Sequence, residues 1–220
     1  MEQLVIALPV LIFSVVVHEY AHGWMALREG DQTAVMLGRL TLNPVPHIDP
    51  LGSIIVPALM VMLPGGAILG WAKPVPVNPR NFRNYRQGDI RVSLAGVVAN
   101  LALAVICVLI LMVALILSVM LPDLGAVMGT LRAMAEYGIL INLILIVFNL
   151  LPIPPLDGSH VVYHLLPPEL GARYRQIGPY GLIILFGLLF IGALRYLLFP
   201  AFVAFAWMRQ AAFAMAGLFV

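Results

Sequence analysis

Cysteine is almost missing from this chain: Cys107 is the single one in 220 residues. A lone thiol excludes a disulfide framework, a thiolate metal cluster and a redox pair, and inside an apolar helix it reads as packing. Charge is scarce as well. Asp, Glu, Lys and Arg make up 10% of the residues, where a soluble domain carries about 25%. The net charge of +2 leaves no strongly basic surface for nucleic acid. The amino terminus has no basic n-region and no small-residue cleavage pattern, so Met1 to Leu27 is expected to be retained. With no internal repeat or hydrophilic linker, a single domain over 1–220 is expected, its core at about 4–160 and C-terminal helices at 177–220.

Apolar side chains are abundant, at 62% of residues and a mean hydropathy of +1.03. The long runs are Leu4–Leu27, Val92–Leu121, Tyr137–Leu151 and Ile177–Phe199, with Ala201–Val220 a fifth that contains Arg209. Crossing the hydrocarbon takes roughly 20 apolar residues. Leu51–Leu63 is too short to do so, is interrupted by Pro57, and is followed by Pro64-Gly65-Gly66. It is expected to form a re-entrant hairpin, in which irregular backbone is covered by protein. The fold class expected is an all-α polytopic membrane protein of about five to six membrane helices. A short β-like segment, Thr33–Leu42, should lie near the active site, with an extended Lys73–Pro79 segment that its prolines keep from being helical.

Inside the first run stands His18-Glu19-Tyr20-Ala21-His22. On a helix this HExxH spacing sets two imidazoles at i and i+4, on one face, in reach of one metal ion. Glu19 between them is placed to act as a general base. Three ionisable groups at bilayer depth are costly unless they have partners, and a zinc ion is such a partner. The bland alternative is a pair of interior histidines with Glu19 protonated or paired.

Asn149-Leu150-Leu151-Pro152-Ile153-Pro154-Pro155-Leu156-Asp157-Gly158 is the second constellation. Its prolines end the preceding helix, and Asp157 is the best candidate for a third ligand. Alone, such a sequence is usually a turn. Two His and one carboxylate leave the fourth zinc position open, as in catalytic sites. His18 and His22 lie late in the first run, and Asp157 follows the end of the Tyr137 run. The two helices must therefore run the same way, with one full crossing, Val92–Leu121, between them. This parity again makes Leu51–Gly70 re-entrant. Arg28, Arg39, Lys73, Arg80, Arg83, Arg86 and Arg91, with Arg173 and Arg175, put the 28–91 and 157–176 segments in the cytoplasm by the positive-inside rule. A multi-pass protein of the cell (inner, cytoplasmic) membrane is expected, its active site towards the cytoplasmic side.

These two motifs, in this order, resemble the site-2 protease family of intramembrane zinc metalloproteases. Gly38-Arg39-Leu40-Thr41-Leu42-Asn43-Pro44, His47-Ile48-Asp49-Pro50-Leu51-Gly52 and Gly70-Trp71-Ala72-Lys73-Pro74-Val75-Pro76-Val77-Asn78-Pro79 are similar to its short prokaryotic branch, without PDZ or CBS domains. The likeness spans about Val10 to Ser159. It implies that His18, His22 and Asp157 bind Zn2+, that Glu19 is the catalytic base, and that Asn149 steadies the scissile carbonyl or oxyanion. It further implies a transmembrane protein substrate, presented by the β-like segment. Val97 departs from the family's usual proline in Ala95-Gly96-Val97-Val98-Ala99-Asn100.

Other readings stay open. The site could belong to a non-catalytic metal-binding membrane protein, although such a protein has no need of Glu19. It could equally serve a membrane zinc hydrolase of lipids or non-peptide amides. His160 and His164, also i and i+4, read as interfacial histidines or a second metal face. His47 either hydrogen-bonds near the active site or shapes its loop. Arg209 either faces a protein or water-lined cavity or marks an interfacial helix. Gly181, Gly187 and Gly192 suggest close helix packing.

Overall fold

The computed structural model describes residues 2–56 and 71–219. In chain order the helices are α1 (Glu2–Glu29), α2 (Thr33–Met36), α3 (Tyr85–Met120), α4 (Gly125–Asn149), α5 (Asp157–Leu165), α6 (Pro168–Arg175), α7 (Gly181–Phe190), α8 (Leu194–Leu197) and α9 (Phe199–Ala216). Among the described residues three helices are long and apolar enough to cross a membrane: Val5–Glu29, Tyr85–Met120 and Pro122–Asn149. The fold is thus all-helical and membrane-compatible, with three such helices where five to six were expected.

Register among these three follows from their contacts. Val10 on α1 faces Gly138 on α4, and Ser14 one turn on faces Asn142 one turn on. These two helices therefore run the same way. On α3, Asn100 faces His18 while Val92 faces His22, so α3 runs against them. This is the arrangement the parity argument requires. A core of Ala104, Val108 and Leu111 on α3, Ala135, Ile139 and Leu143 on α4, and Ala201 and Ala212 on α9 holds the bundle. The small residues on α9 let its backbone approach closely.

Three expectations change. The third crossing starts well before Tyr137, because α4 already begins at Gly125. Its early charges are matched: Arg132 Nε lies 3.2 Å from Glu136 Oε1, and Arg209 Nε of α9 lies 3.3 Å from Glu136 Oε2. Both guanidiniums also stack on Phe213, 4.9 and 5.0 Å from its ring centre. Arg209 therefore faces the protein. Secondly, Ile177–Phe199 is not one helix. Gly192, at φ +72°, ends α7 in a left-handed turn that suits glycine, and α7's ten residues reach only ~15 Å. Of the three glycines there, Gly181 alone makes a close approach, since a side chain on it would overlap the Pro154 carbonyl.

The third change concerns the β-like segment. Thr33–Met36 is one helical turn, started by Asp31 Oδ1, which accepts from Thr33 N at 3.1 Å. Among the described residues there is no strand. Lys73–Asn78 is extended, as its prolines dictate, but it is pinned by scattered hydrogen bonds instead of a ladder. Lys73 N donates to His47 O at 2.9 Å, and Arg39 Nη2 donates to the Lys73 and Pro74 carbonyls. Asn78 N and Asn81 Nδ2 each donate to the Asp31 carboxylate at 2.7 Å. Burial opposes this carboxylate, yet the hydrogen bonds from Thr33, Asn78 and Asn81 prevail and hold its pKa below the usual value. Of the Leu51–Gly70 hairpin only the first residues are described, as part of a wide turn at Pro50–Ile55, and 57–70 lie outside the described residues. Its flanks meet: Trp71 N donates to Gly52 O at 3.1 Å, and Ser53 Oγ donates to Trp71 O at 2.9 Å.

Candidate metal centre

α1 carries His18 and His22 one turn apart on the face turned to α3. The chain after α4 brings Asp157, the first residue of α5, against the same two rings. His18 Nε2 and His22 Nε2 are 2.9 Å apart, and each lies 3.3 Å from Asp157 Oδ2. Among the described residues this is the one group of three His, Cys, Asp or Glu side chains whose ligand atoms lie close enough to share an ion.

What the outer nitrogens do decides what the inner ones offer. His22 Nδ1 faces the Val92 carbonyl at 2.7 Å, so it must carry the proton and donate it. His18 Nδ1 faces Asn100 Oδ1 at 2.5 Å and donates likewise. Both Nε2 atoms then present lone pairs to the same spot as a carboxylate oxygen. Asp157 Oδ2 is buried and accepts no hydrogen bond. Three acceptors with no proton between them repel one another, and a cation at their centre removes the conflict. Two imidazoles and a carboxylate suit a divalent ion of the zinc type, with an open fourth position.

Glycine makes the approach possible. A Cβ on Gly96 of α3 would fall 2.5 Å from His18 Cε1 and 2.6 Å from His22 Nε2. Only a residue without a side chain lets α3 pass so near the rings.

The remaining site residues named from sequence fall in different places. Glu19 adjoins the pair, and its Oε2 accepts from Val75 N of the extended segment at 2.8 Å. Asn149, at the end of α4, donates its amide to Leu145 O at 2.9 Å, back along its own helix. His47 Nε2 donates to Thr41 O at 3.0 Å, so it shapes its loop. His160 and His164 both face Asp89 at the start of α3, at 3.2 and 2.7 Å, and tie α5 to α3. They do not join a metal group among the described residues. Sequence reading missed Ser14, Asn100 and Asn142. The signal was available, since an amide in the middle of an apolar run is unusual enough to mark function.

The model of peptidase family M50 matches residues 6–191. The chain is 42% identical over 191 residues to a Bacillus subtilis protein named "Putative zinc metalloprotease YwhC", covering 86% of this chain and 82% of that one. It is 32% identical over 188 residues to "Putative zinc metalloprotease Rip2" of Mycolicibacterium smegmatis, covering 84% of this chain and 66% of that one. A Mycobacterium tuberculosis protein of the same name is 33% identical over 158 residues, 72% of this chain and 56% of that one. No solved structure matches significantly. With the motifs, the ligand geometry and the family match all falling on one stretch of sequence, the chain belongs to peptidase family M50, the site-2 proteases.

Proposed function

We propose that the protein is an intramembrane zinc endopeptidase, cutting within or beside transmembrane segments of membrane proteins. The observation that carries this reading is the convergence of His18 Nε2, His22 Nε2 and Asp157 Oδ2 on one point between apolar helices. Zinc held there would polarise a scissile carbonyl and acidify a water. Glu19 takes a proton from the attacking water on its carboxylate and returns it to the leaving amine. The Val75 N–H holds one oxygen of that carboxylate and thereby sets its direction. Asn149 is assigned to the developing oxyanion, a role for which its amide must leave the Leu145 carbonyl and turn towards the site. The substrate reaches the site as a locally unwound helix, because a peptide bond inside an intact helix is shielded.

The direct test is cleavage. Reconstituted into liposomes with a set of single-span peptides, the protein is expected to cut near one end of the span, with products identified by mass spectrometry. A zinc chelator should stop the reaction and added zinc restore it. A protein that holds zinc yet cuts none of the peptides, while hydrolysing lipid amides, would displace the endopeptidase reading.

We also assign the site to the cytoplasmic side of the cell membrane. The basic residues of 28–91 support this, as does the hydrogen bond between Gly52 and Trp71, which brings the two flanks of the 53–70 segment together. In a Cys107→Ser background, Gln32→Cys and Asn84→Cys are expected to react with an impermeant thiol reagent only from the cytoplasm, and Asp123→Cys only from outside. Labelling of position 84 from outside would overturn the assignment.

A further inference from the structure

Behind His18 runs a chain of buried polar side chains that the chemistry above does not use. Asn100 is 0% exposed, and Asn142 and Ser14 are each 1% exposed, in the middle of the three membrane-compatible helices. Buried amides at that depth are costly unless every donor and acceptor is matched. Here they are matched in one direction only.

The order of bonds can be followed from its fixed end. The Gly138 carbonyl, part of the α4 backbone, can only accept. It takes a hydrogen bond from Asn142 Nδ2 at 2.8 Å, and the same nitrogen donates to Ser14 Oγ at 2.9 Å. That leaves Asn142 Oδ1 as an acceptor turned to α3. Asn100 Nδ2 donates to it at 2.7 Å and to the Ser14 carbonyl at 3.4 Å. Asn100 Oδ1 is thereby turned to His18 Nδ1, 2.5 Å away.

Reversing either amide breaks the pattern. A turned Asn142 sets its oxygen against the Gly138 carbonyl. A turned Asn100 sets its oxygen against Asn142 Oδ1 and the Ser14 carbonyl. Had Asn100 presented its NH2 to His18, the ring would carry its proton on Nε2 and donate it to Asp157 Oδ2. The three groups would then satisfy one another and offer an ion one lone pair fewer. The direction of one amide thus separates a metal site from a closed hydrogen-bonded cluster.

We infer that Asn100, held in direction by Asn142 and Ser14, is a positioning residue that fixes His18 as the Nδ1–H tautomer and keeps its Nε2 lone pair on the metal. His22 receives the same instruction directly from the Val92 carbonyl. Each zinc-facing imidazole is therefore set by a backbone carbonyl, one at first hand and one through two amides. This rests on the zinc reading above and adds to it residues that touch neither metal nor substrate. Partners behind a metal-bound histidine are typically worth about 10–100-fold in metal affinity.

The experiment uses the whole purified protein in detergent, with zinc affinity measured by chelator competition. Tautomers are read in the metal-free protein from 15N-imidazole spectra, with the His18 signal assigned by its loss in His18→Gln. Unsubstituted protein is expected to bind one zinc and to show His18 protonated on Nδ1. Asn142→Leu should weaken zinc by about 10–100-fold and move the His18 proton to Nε2. Asn142→Ala serves in its place if leucine is not accommodated. Adding Asn100→Asp to either variant should restore affinity to within several-fold, because a carboxylate has no N–H to present to the ring. An Nε2–H on His18 in unsubstituted protein overturns the inference without any variant. So does unchanged affinity in Asn142→Leu, or a loss that Asn100→Asp does not repair, which would make Asn142 a packing residue. Unsubstituted protein that binds no zinc overturns the zinc reading itself.

Discussion

Glu19→Gln is expected to leave zinc content unchanged and to cut peptide-bond cleavage by about 10²–10⁴-fold, the usual worth of a general base. The substitution is nearly isosteric, and a glutamine oxygen still accepts from Val75 N, the bond Glu19 makes at 2.8 Å. The extended Lys73–Asn78 segment therefore keeps its seat, and what disappears is the ability to take a proton. The two readouts are metal content of the purified variant and the rate of product formation in liposomes. Near-normal cleavage by Glu19→Gln would sink the metalloprotease mechanism. Loss of both zinc and activity would instead point to a structural part for the carboxylate.

The second large effect is on the metal. Asp157→Ala is expected to lower zinc affinity by roughly 10²–10³-fold, about one ligand's share of the ~10–16 kcal/mol that a four-ligand protein site provides. His18→Ala and His22→Ala should do the same, because each leaves two donors where three had converged. The fold should survive in the Asp157 variant. α5 stays tied to α3 through His164 and Asp89, 2.7 Å apart, and Leu156 remains packed with Leu151, Leu185 and Leu194. Size-exclusion behaviour serves as the control. Unchanged zinc in Asp157→Ala would reject it as a ligand. His160 does not take its place, since its Nδ1 already faces the Asp89 carboxylate at 3.2 Å.

The part of this site that could be read in the sequence is the part set by local spacing. His18 and His22 share a face because a helix returns after four residues, and Asp157 is where three prolines deliver it. Counting crossings was enough to bring the two together, and the bundle has that register. What escaped was set by pairs far apart in the chain. Asn100 reaches His18 across 82 positions and Asn142 reaches Ser14 across 128, and nothing in the spacing of either announces its partner. The same holds for Glu136, whose pairing with Arg209 on α9 supports an α4 that starts at Gly125, ahead of the apolar run from Tyr137. Hydropathy also misled at Ile177–Phe199, because a window average does not register the turn made by Gly192. Asn149 was legible as a motif, but its amide bonds to Leu145, back along its own helix.

That His18 and His22 depend on α3 and α5 for every partner outside α1, with α4 standing behind Asn100, has a consequence for biosynthesis. As the chain grows, α1 is made first, and its histidines enter the bilayer with none of those partners yet in existence. The Val92 carbonyl and Asn100 follow with α3, Asn142 comes later, and Asp157 lies 135 positions after His22. At ~5–20 residues per second, that last interval lasts roughly 7–27 s. Throughout it the nascent first span holds ionisable side chains without their partners, which favours its staying near the translocation machinery or the interface until α3 arrives. On the proposed reading, the full ligand set of His18, His22 and Asp157 exists only after residue 157 has been made. A chain arrested earlier would carry the HExxH motif without its proposed third ligand.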